Sequence, residues 1–358
     1  MTVKQWHPLL TLMFFMSLSS VVYAEPAPES PVEQSWASAE GKTPTRGARR
    51  AFIGIATSAG LLGYGPASLA LLESNSERLN IGTYLLTAGS AFLVPTYMLG
   101  RNDINWAMTD LLYAGITRGA FHGSLLSSLG EVETDDVTAD QYPDDTTNST
   151  SENATVLLTA GLSLTEGILG TVYAKSANLS SGETHTLTIM SDLGALWGTM
   201  LTLPVFQLTG ATRPAEMALI GSVAGFGAGE YYRRIRPDTT WGDAEFLRTS
   251  AVLGLVAPLP IFVSADINDV RLLTYSTLVS SAAGFYLGDK LLTNLDLEYQ
   301  DALLLDLSVV SGALLLPALT YLITGADGPT AYAWTSVAGA AAGYVYMYND
   351  IKNSTPNT

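Results

Sequence analysis

The feature that most constrains the fold is a series of ten long apolar segments separated by polar breaks. The leucine runs at 303–305 and 314–316 do not alternate with polar residues, as the strands of a membrane barrel must. Helices of about 18–24 residues fit these segments better. We therefore predict an all-α fold of about ten helices. The segments lie near residues 51–73, 82–100, 105–129, 154–175, 184–208, 215–232, 243–264, 271–292, 301–324 and 331–348.

Residues 1–24 predict a secretory signal peptide. Lys4 gives a positive start, residues 9–22 are apolar, and Val22-Tyr23-Ala24 precedes the expected cleavage point. An uncleaved anchor is the alternative, although a spanning helix needs about 20 apolar residues. The chain has no cysteine, which excludes a disulfide framework, a thiolate nucleophile and a cysteine-based zinc site. We expect export to the cell envelope of a bacterium, in a membrane or, alternatively, in the periplasm.

Polar segments divide the chain. Residues 25–45 hold four prolines and several acids, which predicts a linker, and residues 350–358 predict a polar tail. Residues 131–153 hold eight acids and no base, between a first helical group at 46–130 and a repeat region at 154–349. Clustered carboxylates suit calcium, but the spacing matches no EF-hand and the turn glycine is missing. The interpretation as a solvated acidic loop is favoured over a calcium site.

Two kinds of helix alternate in the repeat region. The first kind carries a pair of small residues four positions apart, as at Gly225/Gly229, Gly284/Gly288 and Gly339/Gly343. An earlier copy is Gly115/Gly119. A weaker copy around Gly170 has Glu166 in place of the first glycine. The second kind starts at Gly182, Gly242 and Gln300, with leucine five positions later and glycine twelve positions later. Three copies that agree at four positions predict tandem helical hairpins.

The repeated residues have physical roles. Glu183, Asp243 and Asp301 fall where a carboxylate meets the free N–H groups and positive dipole end of a helix. The small-residue pairs predict glycine-zipper packing, in which two helix backbones approach closely. The same faces are candidates for self-association of the chain.

Composition favours a membrane location. Charged residues make up only 14% of the chain, and the net charge of −16 argues against nucleic acid as a partner. Mean hydropathy is +0.25. With ten spans and an exported N-terminus, however, most lysines and arginines fall outside, so the positive-inside rule is inverted. The membrane topology therefore stays open, and a soluble solenoid is the alternative.

Few residues carry recognisable chemistry. After the predicted signal the chain has only His122 and His185, and no metalloprotease, phosphate-loop or nucleophile-elbow motif. The glycine-rich run at 225–229 lacks the preceding strand of a dinucleotide loop. We therefore predict no catalytic, cofactor-binding or metal-binding residues and no enzyme activity. Six charges within apolar segments remain candidates for an ion path or for structural pairing: Asp110, Arg118, Glu166, Asp192, Arg248 and Asp306.

Arg248 and Asp306 occupy equivalent positions of consecutive second-type helices. Stacked repeats place such positions on neighbouring helices, about 8–10 Å apart. We predict a salt bridge between them, with a local contact between Arg248 and Glu245 as the alternative. The sequence thus predicts an exported structural or scaffold protein in or on a membrane lipid bilayer. The alternatives are a channel or transporter that uses the buried acids, and a soluble periplasmic solenoid that acts as a binding module.

Overall fold

The computed structural model describes residues 45–72, 74, 76–97, 104–130, 146–206, 214–295, 297–325 and 328–354. This part of the chain is all-α, which confirms the predicted fold class. Its helices are α1 Arg46–Leu72, α2 Glu77–Tyr97, α3 Trp106–Gly130, α4 Thr146–Ser176, α5 Ser181–Phe206, α6 Pro214–Ile235, α7 Trp241–Ser264, α8 Val270–Leu291, α9 Tyr299–Thr324 and α10 Pro329–Ser354.

Two of these helices contain an interruption. In α1 the segment Gly60–Tyr64 forms a π-helical turn just before Pro66. In α7 the α-helix pauses between Val256 and Leu259, because Pro258 has no backbone N–H to continue the ladder. Helix resumes beyond each interruption, at Gly65 in α1 and at Leu259 in α7.

The helices pair as consecutive antiparallel hairpins. The most extensive contacts join α3 with α4, α5 with α6, α7 with α8 and α9 with α10, while α1 packs on α2. The odd-numbered helices also stack on one another in chain order, and each contacts the even helix of the following hairpin. The described chain is therefore a stack of five helical hairpins.

All odd helices begin at the same end of the stack, here called the inter-hairpin end. The amide of Thr45, which caps α1, donates to the carbonyl of Ile104 just before α3. The hydroxyl of Thr240, which caps α7, donates to the carbonyl of Leu297 just before α9 at 2.6 Å. The opposite end, where each hairpin turns, is called the hairpin-turn end.

The odd helices α3, α5 and α7 form an inner layer and the even helices an outer layer, whereas the odd helices α1 and α9 of the first and last hairpins are largely exposed. Residues 242–251 of α7 are almost all buried, as are large parts of α3 and α5. On the outer layer, Leu287 of α8 is 59% exposed and Leu169 of α4 is 60% exposed. Charged and polar groups therefore concentrate inside the stack, whereas apolar side chains cover much of its outside.

Two helices extend into segments that the sequence marks as polar. Helix α4 begins at Thr146, so residues 146–153 are helical. Helix α10 runs to Ser354, into the predicted tail, and ends before Pro356. The predicted signal peptide at 1–24, the linker up to residue 44, and the loop at 131–145 with its calcium alternative lie outside the described residues.

Candidate functional site

The acidic residues that recur at the start of second-type helices are capping residues. In α7 the hydroxyl of Thr240 accepts from the amide of Asp243, whose carboxylate accepts from the amide of Thr240. Ser180 and Glu183 make the same reciprocal pair at α5. At α9 the corresponding acid is Asp301. The predicted role of these carboxylates is confirmed, and each satisfies a backbone donor that the helix leaves free.

Glycines lie where the two helices of a hairpin are closest. A β-carbon added at Gly194 of α5 would collide with the carbonyl oxygen of Gly221 on α6, and the reverse substitution would do the same. In the fourth and fifth hairpins, Gly254 meets Ser280 and Gly312 meets Gly339 in the same way. These small-residue faces are thus occupied within the chain.

The structure corrects two parts of the predicted alignment. Gly343 contacts Ser308, the position at which Gly225 and Gly284 contact their partner helices, so the alignment of Gly339 with Gly225 was wrong by one helical turn. The corrected positions 166, 225, 284 and 343 lie 59 residues apart.

Helix α3 was also placed with the wrong kind of helix. It is the first helix of its hairpin, as α5, α7 and α9 are, and Asn105 caps it. Leu112 and Gly119 then fall seven and fourteen positions after the cap, as Leu247 and Gly254 do in α7. Four hairpins rather than three therefore share the pattern.

Each of the six charged residues predicted within apolar segments has a protein partner, and all but Asp192, whose side chain is 39% exposed, lie largely inside the stack. The Asp110 carboxylate accepts from the hydroxyls of Ser181 at 2.6 Å and Thr184 at 3.3 Å. Arg118 donates to Asp192 at 2.9 Å and to the carbonyl of Thr188 at 3.0 Å. Each of these contacts joins helix α3 to helix α5 of the next hairpin.

A second group of charges joins α5, α7 and α9. Arg248 contacts Glu245 on its own helix and lies 3.4 Å from Asp306 on α9, so the predicted salt bridge and its local alternative are both present. Glu245 is 1% exposed, and its other oxygen lies 2.8 Å from Nε2 of His185 on α5. The hydroxyl of Thr249 donates to Asp306.

The pair formed by His185 and Glu245 was not predicted from the sequence. These residues occupy equivalent positions of α5 and α7, 60 residues apart, as Arg248 and Asp306 do of α7 and α9. The same alignment, applied three positions earlier, would have found them. The imidazole of His185 also stacks on Trp241, with ring centroids 4.0 Å apart.

A serine series links the outer helices to the inner layer. Ser163, Ser222 and Ser281 are buried and lie 59 residues apart on α4, α6 and α8. Each contacts a ring from the odd helix of the preceding hairpin: Tyr64 with Ser163 at 3.0 Å, His122 with Ser222 at 3.0 Å, and Trp197 with Ser281 at 3.1 Å. One hydrogen bond thus recurs at three successive hairpin junctions with three different rings.

His122 belongs to a constellation that the sequence analysis did not foresee. Its Nδ1 lies 2.7 Å from the Glu166 carboxylate and its Nε2 lies 3.0 Å from the Ser222 hydroxyl, which is the order of groups in a hydrolase triad. Ser222, however, is 1% exposed and lies within α6, where backbone amides bond along the helix. Its hydroxyl also lies 2.8 Å from that of Ser191. His122 and Ser222 are buried, and together with Glu166 they form a hydrogen-bonded relay that joins α3, α4 and α6.

Tyrosine–carboxylate pairs join successive outer helices near the inter-hairpin end. The phenol of Tyr173 on α4 donates to Glu230 on α6, and that of Tyr232 on α6 donates to Asp289 on α8, both at 2.7 Å. Both members of the second pair lie 59 residues after those of the first. Arg233 donates to Glu230 at 2.6 Å, which secures the first pair.

In the part of the chain that the structure describes, four helices are, by length and composition, long and apolar enough to cross a membrane: α1, the part of α4 at Asn153–Ser176, α7 and α9. Within the described residues, no group of three or more histidine, aspartate or glutamate side chains is arranged to hold a metal ion. Comparisons of the chain with protein-family models, with curated proteins and with solved structures gave no match.

Proposed function

We propose that the chain is an exported scaffold of the cell envelope, integrated in a membrane through the exposed apolar faces of its helices. The observation that carries this proposal is the distribution of polarity. The candidate spans in α1, α4 and α9 are largely unburied, so apolar side chains face outward. The six charges within apolar segments are paired with protein groups, which lowers the cost of placing them at membrane depth.

The repeated contacts between hairpins support a structural role. Capping threonines, ring–serine bonds and tyrosine–carboxylate pairs each join one hairpin to the next. A stack in which every unit contacts its neighbours gives a stiff, extended body rather than a hinged one. Export rests on the sequence of residues 1–24, and the intact mass of the purified protein tests it, since cleavage after Ala24 leaves a chain that begins with Glu25.

Alkaline carbonate extraction of isolated membranes tests the membrane location. An integral protein stays in the pellet and leaves it only with detergent. Complete release into the supernatant at high pH would overturn the membrane proposal and favour the soluble solenoid.

A channel or transporter is the second candidate, and the buried relay of Glu166, His122 and Ser222 favours it. The two candidates separate in proton flux, measured with a pH-sensitive dye inside vesicles that contain the purified protein. A transporter loses flux when Glu166→Gln and Asp192→Asn are combined, whereas a scaffold shows no flux above that of empty vesicles. Asp238→Asn is the matched control, because Asp238 lies between α6 and α7 and is exposed.

A further inference from the structure

A lateral cavity of about 400 Å³ lies between the first two hairpins. It is lined by α1, α3 and α4, and none of its lining residues is charged. Tyr64 and Ser163, which bond to each other at 3.0 Å, both contribute to its wall. Ligand cavities in proteins begin at about 300 Å³, so this one is large enough for a molecule much bigger than water.

The cavity exists because small residues replace large ones. Ala67 follows Tyr64 by three positions, whereas Met200 follows Trp197 by three positions at the equivalent junction of α5 with α8. Ala160 of α4 corresponds to Leu219 of α6 and Leu278 of α8, at intervals of 59 residues. The later junctions therefore carry larger side chains at the aligned positions.

The surroundings of the cavity indicate what fills it. It lies between two candidate membrane spans, and only 11% of either is buried in the protein. Leu62 of α1 is 82% exposed and Leu164 of α4 is 50% exposed, so apolar surface flanks it on both helices. An uncharged cavity of this kind excludes a polar headgroup and accepts hydrocarbon.

We propose that this cavity binds one acyl chain of a bilayer phospholipid, which enters sideways between α1 and α4. The inference rests on the proposed membrane location. Bound hydrocarbon would complete the packing that Met200, Leu219 and Leu278 supply at the later junctions. The first hairpin would then be attached to the stack partly through lipid.

The test is photolabelling of the full-length protein in phosphatidylcholine vesicles that contain a trace of phosphatidylcholine with a diazirine in its acyl chain. Lipid at the outer surface labels the exposed faces of many helices. Ala120 is the diagnostic position, because it lines the cavity from α3, against which both α1 and α4 pack. We expect a labelled peptide that contains Ala120.

A filled variant supplies the matching comparison. Ala67→Met with Ala160→Leu introduces the side chains found at the later junctions and should abolish labelling at Ala120. The control is Ala282→Leu, at an exposed alanine of α8, which should leave that labelling unchanged. Thermal unfolding in detergent should show that both variants are folded.

Carbonate extraction of the same vesicles separates the two proposals. Release of the protein would overturn the membrane location itself. A protein that stays in the membrane but is not labelled at Ala120, or is labelled equally in the filled variant, would overturn the lipid site alone. Occupation of the cavity by another segment of this chain would give that second result.

Discussion

His185 on α5 and Glu245 on α7 are 60 residues apart in sequence, and their side chains lie 2.8 Å apart inside the stack. The same step along the repeat brings Arg248 to Asp306. Equivalent positions of consecutive inner helices therefore face each other, and charges placed at them pair between hairpins. The inner layer is held together by polar contacts as well as by apolar packing.

Removing Arg248 should destabilise the protein by a few kcal/mol. Its side chain contacts Glu245 and Asp306, and Arg248→Ala would leave two buried carboxylates close together. The charge swap Arg248→Asp with Asp306→Arg should recover part of the loss. The unfolding temperatures of these variants, monitored by circular dichroism in detergent, give the comparison. A double-mutant cycle with coupling near zero would contradict the pairing.

Two glycines of α6 should respond in opposite ways to alanine. A β-carbon at Gly225 collides with the carbonyl oxygen of Met190, whereas one at Gly227 meets nothing within 4 Å. We expect Gly225→Ala to cost about 1–3 kcal/mol through overpacking. Gly227→Ala should gain up to about 1 kcal/mol from helix propensity. Equal unfolding temperatures for the two variants would argue against close contact between α5 and α6.

The phenol of Tyr232 should stabilise the contact between α6 and α8. Tyr232→Phe removes its hydrogen bond to Asp289 and should lower the free energy of unfolding by about 1–2 kcal/mol. Tyr231→Phe is the control on the same helix, because that side chain is 67% exposed. Chemical unfolding in mixed micelles measures both. A loss of equal size in the control would assign the effect to something other than this bond.

Thr240 should matter through its hydroxyl group. The hydroxyl caps α7 and donates to the carbonyl of Leu297 in the next hairpin. Thr240→Ala should cost about 1–2 kcal/mol, whereas Thr240→Ser keeps the hydroxyl and should cost much less. The unfolding temperatures of the two variants decide the matter, and similar losses in both would rule out the capping role.

If the stack spans a membrane, its inter-hairpin end and its hairpin-turn end should lie on opposite sides of the bilayer. Asn178 and Asp238 lie in connections at the inter-hairpin end, whereas Asp266 lies in a turn at the hairpin-turn end. Because the chain has no cysteine, single Asn178→Cys, Asp238→Cys and Asp266→Cys variants can be labelled with a membrane-impermeant maleimide in intact vesicles. The Asn178→Cys and Asp238→Cys variants should show the same accessibility to the maleimide, and the Asp266→Cys variant should show the opposite accessibility. Equal reactivity of all three would exclude a spanning bundle.

The lysines and arginines at the two ends of the stack are relevant to the inverted positive-inside rule noted from the sequence. Lys175, Arg236, Lys290 and Lys352 lie towards the inter-hairpin end, whereas Arg271 begins a helix at the hairpin-turn end. Arg236 is paired with Asp289 at 3.3 Å. The maleimide labelling also establishes which end faces the labelled side.

The sequence by itself determined the helices and their spacing. Apolar segments of spanning length, capping acids such as Asp243 and small residues such as Gly194 are local signals, so they can be located without a fold. The recurring step of about 60 residues was enough to predict the contact between Arg248 and Asp306 before any coordinates were considered.

Only the tertiary structure decided which helices pair. The short connection at 177–180 suggests that α4 and α5 form a hairpin, yet α4 packs mainly on α3, across the much longer acidic segment. Loop length does not decide this, because closing a longer loop adds little entropy cost, whereas a matched small-residue contact between α3 and α4 is gained only in one pairing. The approach of His122 to Ser222 and the contact of Gly343 with Ser308 likewise depend on packing between residues far apart in sequence.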